Sequence, residues 1–157
     1  GYMALLDQIG TCFKPLGESE IQPRSKNEKV NTITKALKYF SSLPDNEIDA
    51  LYALRCAFAH DFSLFNINRN NQSLQHRFQV EIGGSMEVVK LPSEPWDGNY
   101  KNKNRNNVTI INLEALGDLV EDIYNRLFKM IESENLEIIL DGGIDELIQR
   151  YSFHTNQ

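Results

Sequence analysis

Between Tyr52 and Phe62 the chain reads Tyr52-Ala53-Leu54-Arg55-Cys56-Ala57-Phe58-Ala59-His60-Asp61-Phe62. Two of these side chains suit phosphate chemistry. A guanidinium clamps a phosphate through parallel N–H donors and stabilises charge that develops on it. An imidazole takes or gives a proton near neutral pH. Arg55 could therefore hold an anionic group, and His60 could move a proton. Asp61 can orient His60. Tyr52 and Cys56 flank Arg55 as supporting groups. Cys56 and His60 are four residues apart, but Cys12, His76 and His154 are scattered. No metal site and no cofactor are therefore expected.

The same residues have structural readings. An inward arginine often makes an internal ion pair, here with a carboxylate such as Asp49, Asp118 or Glu121. A histidine in the last turn of a helix often meets the terminal carbonyls. A second patch, Trp96, Tyr100, Lys101, Lys103 and Arg105, mixes rings with cations and could contact single-stranded RNA by stacking and charge. Its plain reading is a solvated surface loop.

The positioning elements follow from periodicity. Apolar residues at Leu5, Leu6, Ile9 and Phe13 predict a short helix over 3–13, ended by Pro15 and Gly17. Val30, Ile33, Leu37 and Phe40 predict an amphipathic helix over 28–43. Pro44 stops it, and Asp45 is the expected N-cap of a motif helix over 46–60. On a wheel of about 100° per residue, Ile48, Leu51, Tyr52, Leu54, Phe58, Ala59 and Phe62 form one apolar arc with Arg55 near its middle. An arginine so placed demands an acceptor. His60 lies about 140° around from Arg55 on an ideal helix. Either the helix loosens at His60, or Arg55 of one copy works with His60 of another, and the offset favours a dimer.

Short strands are expected over 63–68, 75–82, 86–91 and 108–111, with Gly83-Gly84 turning a hairpin. The Asn/Lys-rich run 97–107 is expected to be a mobile loop. A long helix over 113–133 is capped by Asn112, and a last helix covers 144–151. The sum is a mainly α fold: one domain over 1–157, a helical bundle with a small antiparallel β insertion at about 63–111.

The bulk composition fits this. The chain has 157 residues, 41% hydrophobic and 24% charged, with a net charge of −6. Such acidity argues against nonspecific duplex binding, which needs excess Lys and Arg, but leaves room for a local basic site. Two cysteines are too few for a disulfide framework and suit a reducing, cytoplasmic setting. No apolar run approaches a membrane span, and the first residues lack the basic flank of a signal peptide.

The run Arg55-x4-His60, followed by Asp61-Phe62 at the end of an amphipathic helix, resembles the Arg-x4–6-His motif of the HEPN superfamily. Tyr52-Ala53-Leu54 and the small Ala57 and Ala59 suit that family's motif helix. The likeness is sharp over roughly 50–65 and architectural elsewhere. It implies a metal-independent endoribonuclease of the defence or toxin type, working as a homodimer with two motifs across a cleft. It also implies RNA as substrate and a cognate antitoxin or other partner protein. Ribonuclease members commonly carry a polar residue, often Asn, after the arginine; here Cys56 stands there. A noncatalytic module binding RNA, a nucleotide or a protein therefore stays open beside the enzyme.

Overall fold

The computed structural model describes residues 1–152; His154 of the scattered histidines lies outside them. In order, the elements are α1 (Tyr2–Cys12), β1 (Phe13–Pro15), α2 (Thr32–Phe40), α3 (Asp45–Asp61), β2 (Phe65–Asn66), β3 (His76–Glu81), β4 (Val89–Lys90), β5 (Thr109–Asn112), α4 (Leu113–Glu132), β6 (Leu136–Ile138) and α5 (Gly143–Tyr151). Helices take 45% of the chain and strands 13%, in two sheets. The expectation of a mainly helical bundle with a small antiparallel insertion is thus corrected to a mixed α/β fold.

The correction lies in strand pairing. All four expected strand regions form strands, and β2 pairs antiparallel with β3, but β3 and β4 do not pair across Gly83-Gly84 as the expected hairpin. The larger sheet has the order β2-β3-β5-β4, and β3 pairs with β5 in parallel, Phe78 opposite Thr109 and Val80 opposite Ile111. β4 lies antiparallel on the far side of β5. Gly83 and Gly84 both take positive φ, 75° and 77°, yet turn the chain away from β3 instead of folding it back. The second sheet, β1 against β6, was not expected; it ties the end of α1 to the chain after α4.

Burial alternates along β3. His76 and Phe78 face the helices, while Arg77 and Gln79 face outward. Thr109 and Ile111 continue the inner face on β5, as Val89 does on β4. The inner side chains merge with Leu6, Ile33, Leu37, Phe40, Leu51, Leu54, Leu116, Val120 and Ile123 into one core. α3 lies between the two layers, touching α2 on one side and β2, β3 and β4 on the other.

Helix limits show the local chemistry. Asn31 caps α2 by accepting from Thr34 N at 2.8 Å, so the helix starts four residues later than expected. Asp45 does not cap α3; Pro44 precedes it, and the Asp45 carboxylate pairs with Lys38 at 3.2 Å instead. Asn112 caps α4 as expected, accepting from Ala115 N at 2.9 Å.

The run 97–107, expected to be a mobile loop, is held by its own asparagines. Asp97 accepts from Asn99 N and from Asn102 Nδ2, and the buried Asn107 donates to Asn102 O at 2.9 Å. These side chains mimic backbone turns, which is why Asn and Asp favour such loops.

One histidine is a buried structural group. His76 Nε2 lies 2.8 Å from Ser73 O, and a carbonyl only accepts, so Nε2 carries the proton. Nδ1 then accepts from the Thr109 hydroxyl at 2.8 Å. Burial is the main cause that lowers the His76 pKa from its usual value. The folded state therefore favours neutral imidazole. Its stability contribution is full above the ordinary histidine range and is lost as pH falls through that range toward the lowered folded value. Urea midpoints are expected to drop as pH falls from neutral through that window. In His76→Gln the drop attributable to this residue disappears; an identical pH profile in that variant contradicts the assignment.

Candidate functional site

Arg55 sits on the third turn of α3. The wheel placed it in the middle of the buried arc; the structure corrects this. The buried residues of α3 are Ile48, Asp49, Ala50, Leu51, Ala53, Leu54 and Ala57, whereas Phe58 is 36% and Phe62 90% exposed. Because α3 is covered on two sides, its buried arc is rotated toward Ala50, Ala53 and Ala57. Arg55 is at the rim, its side chain 41% exposed.

Arg55 does find an internal carboxylate, but not one of those proposed from the sequence. Its Nε donates to Asp7 Oδ2 of α1 at 3.1 Å. Asp49 is instead engaged by Arg24, bidentate at 2.8 and 3.2 Å, and Asp118 and Glu121 are exposed on α4. Asp7 is itself held, its Oδ1 accepting from the Thr32 hydroxyl at the first residue of α2. The chain Thr32–Asp7–Arg55 crosses three helices.

Gly10 makes that chain possible. α1 approaches the start of α2 so closely that a Cβ on Gly10 would lie 1.8 Å from Thr32 O. One turn earlier on the same face of α1, Asp7 is thereby brought to Thr32. A half-exposed ion pair of this kind is worth about 0–1 kcal/mol in stability, so its larger consequence is orientation. Among the described residues neither Nη of Arg55 makes a hydrogen bond. The fork end of the guanidinium is left for another acceptor.

Tyr52 and Cys56 are beside Arg55, as the spacing predicts. Burial first, then a hydrogen bond to the Cys56 thiol, raises the Tyr52 hydroxyl above its usual pKa. His60 and Asp61 are exposed on the last turn, and among the described residues no hydrogen bond joins them. α3 ends at Phe62 in a left-handed conformation, φ 51°, with Ser63 N donating to Ala57 O at 3.3 Å. A bulky residue with positive φ is a strained one. Here it leaves a phenyl ring in solvent at the end of α3.

The second expected patch separates into two parts. Trp96 is 1% exposed; its Nε1 donates to Asn99 O and Asn102 O, both at 3.1 Å. Its ring packs against Phe65 with centroids 5.6 Å apart. It is a structural pin and cannot stack on a base, which corrects the reading of Trp96 as an RNA contact. Tyr100 is 58% exposed and meets Phe65 edge-on at 5.1 Å. Lys101, Lys103 and Arg105 are exposed, and the last two border the outer face of the sheet.

A cleft of about 210 Å³ runs between the segment 21–31 and the helices α2 and α3. Arg24, Lys29, Lys38, Asp49 and Tyr52 line it, but neither Arg55 nor His60 does. Among the described residues no group of three His, Cys, Asp or Glu side chains could hold a metal ion, and no helix is long and apolar enough to cross a membrane.

Sequence reasoning missed Asp7 and Thr32. The signal available was Gly10, a lone glycine inside a helical pattern, which marks close backbone approach. No family model, no curated protein and no solved structure matches this chain.

Proposed function

We propose that the chain binds the phosphate of single-stranded RNA through Arg55, and that two copies paired along the end of α3 bring His60 to the bound phosphodiester. The observation that carries this is the Arg55 guanidinium, bonded to Asp7 through Nε and free at both Nη atoms. A purely structural arginine at a helix rim gains most by turning its fork onto the carboxylate. This one is engaged by its edge, with the fork left to accept a bidentate oxyanion. Exposed Phe58 and Phe62, two positions either side of His60 in the sequence, supply apolar area at the end of α3 for the pairing of two copies.

In the catalytic form of this reading His60 removes the 2′-hydroxyl proton, the 2′-oxygen attacks phosphorus and the bond to the 5′-oxygen breaks as that oxygen takes a proton from the protonated His60 of the second copy. The products are a cyclic phosphate and a 5′-hydroxyl, with no metal required. Cys56 favours the noncatalytic form of the same site. A thiol is a weak donor and acceptor, so no strong hydrogen-bonding group follows Arg55 on the helix.

Incubating the protein with labelled single-stranded RNA in EDTA tests both forms. Loss of a charged, forked contact costs about 1.5–3 kcal/mol, so Arg55→Ala is expected to weaken RNA binding about 10- to 100-fold. His60→Ala is expected to retain binding and to abolish any cleavage. Cleavage that survives both substitutions sinks the enzyme reading. Unchanged affinity in Arg55→Ala sinks the site.

A further inference from the structure

The outer face of the four-stranded sheet is basic in an acidic protein. Arg77 of β3, Lys90 of β4, and Lys103 and Arg105 of the flanking loop surround a shallow depression floored by Gln79, Val108 and Ile110. The strand register places Gln79, Ile110 and Lys90 in one row across the sheet, Gln79 opposite Ile110 and Ile110 opposite Lys90. No carboxylate lines this depression. Among the described residues none of the four cations makes a salt bridge, although the chain carries six more negative than positive charges. Glu81, at the end of β3, accepts from Gln79 at 3.2 Å, and Glu94 is tied by its backbone N to Asn106 O at 3.0 Å beside the loop.

Arg77 is not a floppy surface cation. Its Nη2 donates to Asn104 O at 2.6 Å and to Asn107 Oδ1 at 2.9 Å. The self-bonded loop thus fixes the guanidinium against the sheet, and Arg77 Nε is buried without an acceptor. Four uncompensated like charges held this close repel one another. A bound polyanion would relieve that repulsion.

We propose that this face is a track for the phosphodiester backbone of a single-stranded nucleic acid, separate from Arg55. A flexible strand can bend successive phosphates into the depression between sheet and loop. A positively charged groove of this kind follows the backbone without reading bases. The exposed ring of Tyr100 is engaged edge-on by Phe65 and Trp96, so the contact is electrostatic and strongly salt-dependent. The general chemistry is that of RNA and DNA alike; the choice of RNA as the biological strand rests on the reading of Arg55 and His60.

Fluorescence anisotropy with a labelled single-stranded oligouridine tests this, using the oligothymidine, a duplex RNA and a polyglutamate peptide as comparisons. Four phosphate contacts contribute about −2.8 to the slope of log K against log salt, or about 50-fold in affinity between 50 and 200 mM. Both single strands are expected to bind with similar affinity. The triple variant Lys90→Gln, Lys103→Gln, Arg105→Gln is expected to flatten the slope by about 2. All three are exposed and unpaired, so the variant is expected to fold, which circular dichroism checks. No binding at low salt, an unchanged slope in the triple variant, tighter binding of the duplex, or equal binding of polyglutamate overturns the proposal. Arg55→Ala separates the two sites. If it binds as tightly as wild type while the triple variant does not, the Arg55 reading fails and the track stands; the reverse pattern removes the track alone.

Discussion

Trp96→Ala is expected to destabilise the folded chain by about 4 kcal/mol, the range for emptying a buried tryptophan site. The ring is 1% exposed and is packed against Phe65 and Tyr100 at centroid distances of 5.6 and 5.9 Å. Its indole N–H is also the donor that closes the 97–107 loop, through Asn99 O and Asn102 O. Removing it leaves a cavity and releases a loop that positions Arg77. In a chain of this length such a loss corresponds to a fall in Tm of about 8–16 °C. Trp96→Phe restores part of the packing but not the two hydrogen bonds, and is expected to fall between. Urea unfolding measures both. Near-native stability combined with lost RNA affinity would return Trp96 to the surface stacking role that its burial argues against.

Gly10→Ala is expected to cost about 3 kcal/mol, at the upper end of the usual cost of overpacking. The added Cβ meets Thr32 O at 1.8 Å and Thr32 C at 2.7 Å, and both are backbone, so α1 and α2 must part. The same separation pulls Asp7 from Thr32 and frees the Arg55 guanidinium to rotate. RNA affinity is therefore expected to fall although residue 10 touches no ligand. Gly117→Ala is the comparison. Its Cβ would meet the tip of the half-exposed Tyr2 ring at 2.9–3.0 Å, which can swing away. An equal loss of stability in the two variants would mean that the α1–α2 approach is not the constraint described.

Most helices were legible because they carry an amphipathic period, and their limits because of punctuating residues: Pro44 between α2 and α3, Asn112 at the start of α4; α3, covered on two sides, was legible mainly from the residues that bound it. Strand positions were legible from β-branched and aromatic runs such as Phe78–Val80 and Val108–Ile111. Strand pairing was not, because the parallel contact of β3 with β5 joins segments about 30 residues apart, whereas Gly83-Gly84 signals only a local turn. β1 and β6 have three residues each and end or begin without alternation, so no pattern marks them.

Tyr52, Arg55, Cys56 and His60 were legible as a group because they share one helix. Their surroundings were not. The partner of Arg55 lies 48 residues earlier on α1, and nothing local to either residue announces the pairing. The basic track was half visible, as Lys103 and Arg105. Arg77 and Lys90 join them only through sheet register, which depends on the non-local pairing just described.

We propose that Arg55 is an oriented anion-binding group and not merely the cationic half of an internal pair. The dissociation constant for single-stranded RNA at fixed salt, compared between the wild type and Arg55→Lys, tests it most directly. Lysine keeps the charge near Asp7 and loses the fork. The account predicts binding about tenfold weaker, with thermal stability changed little, since the pair itself contributes at most about 1 kcal/mol. Unchanged RNA affinity in Arg55→Lys and in Arg55→Ala alike, with only stability altered, would contradict it.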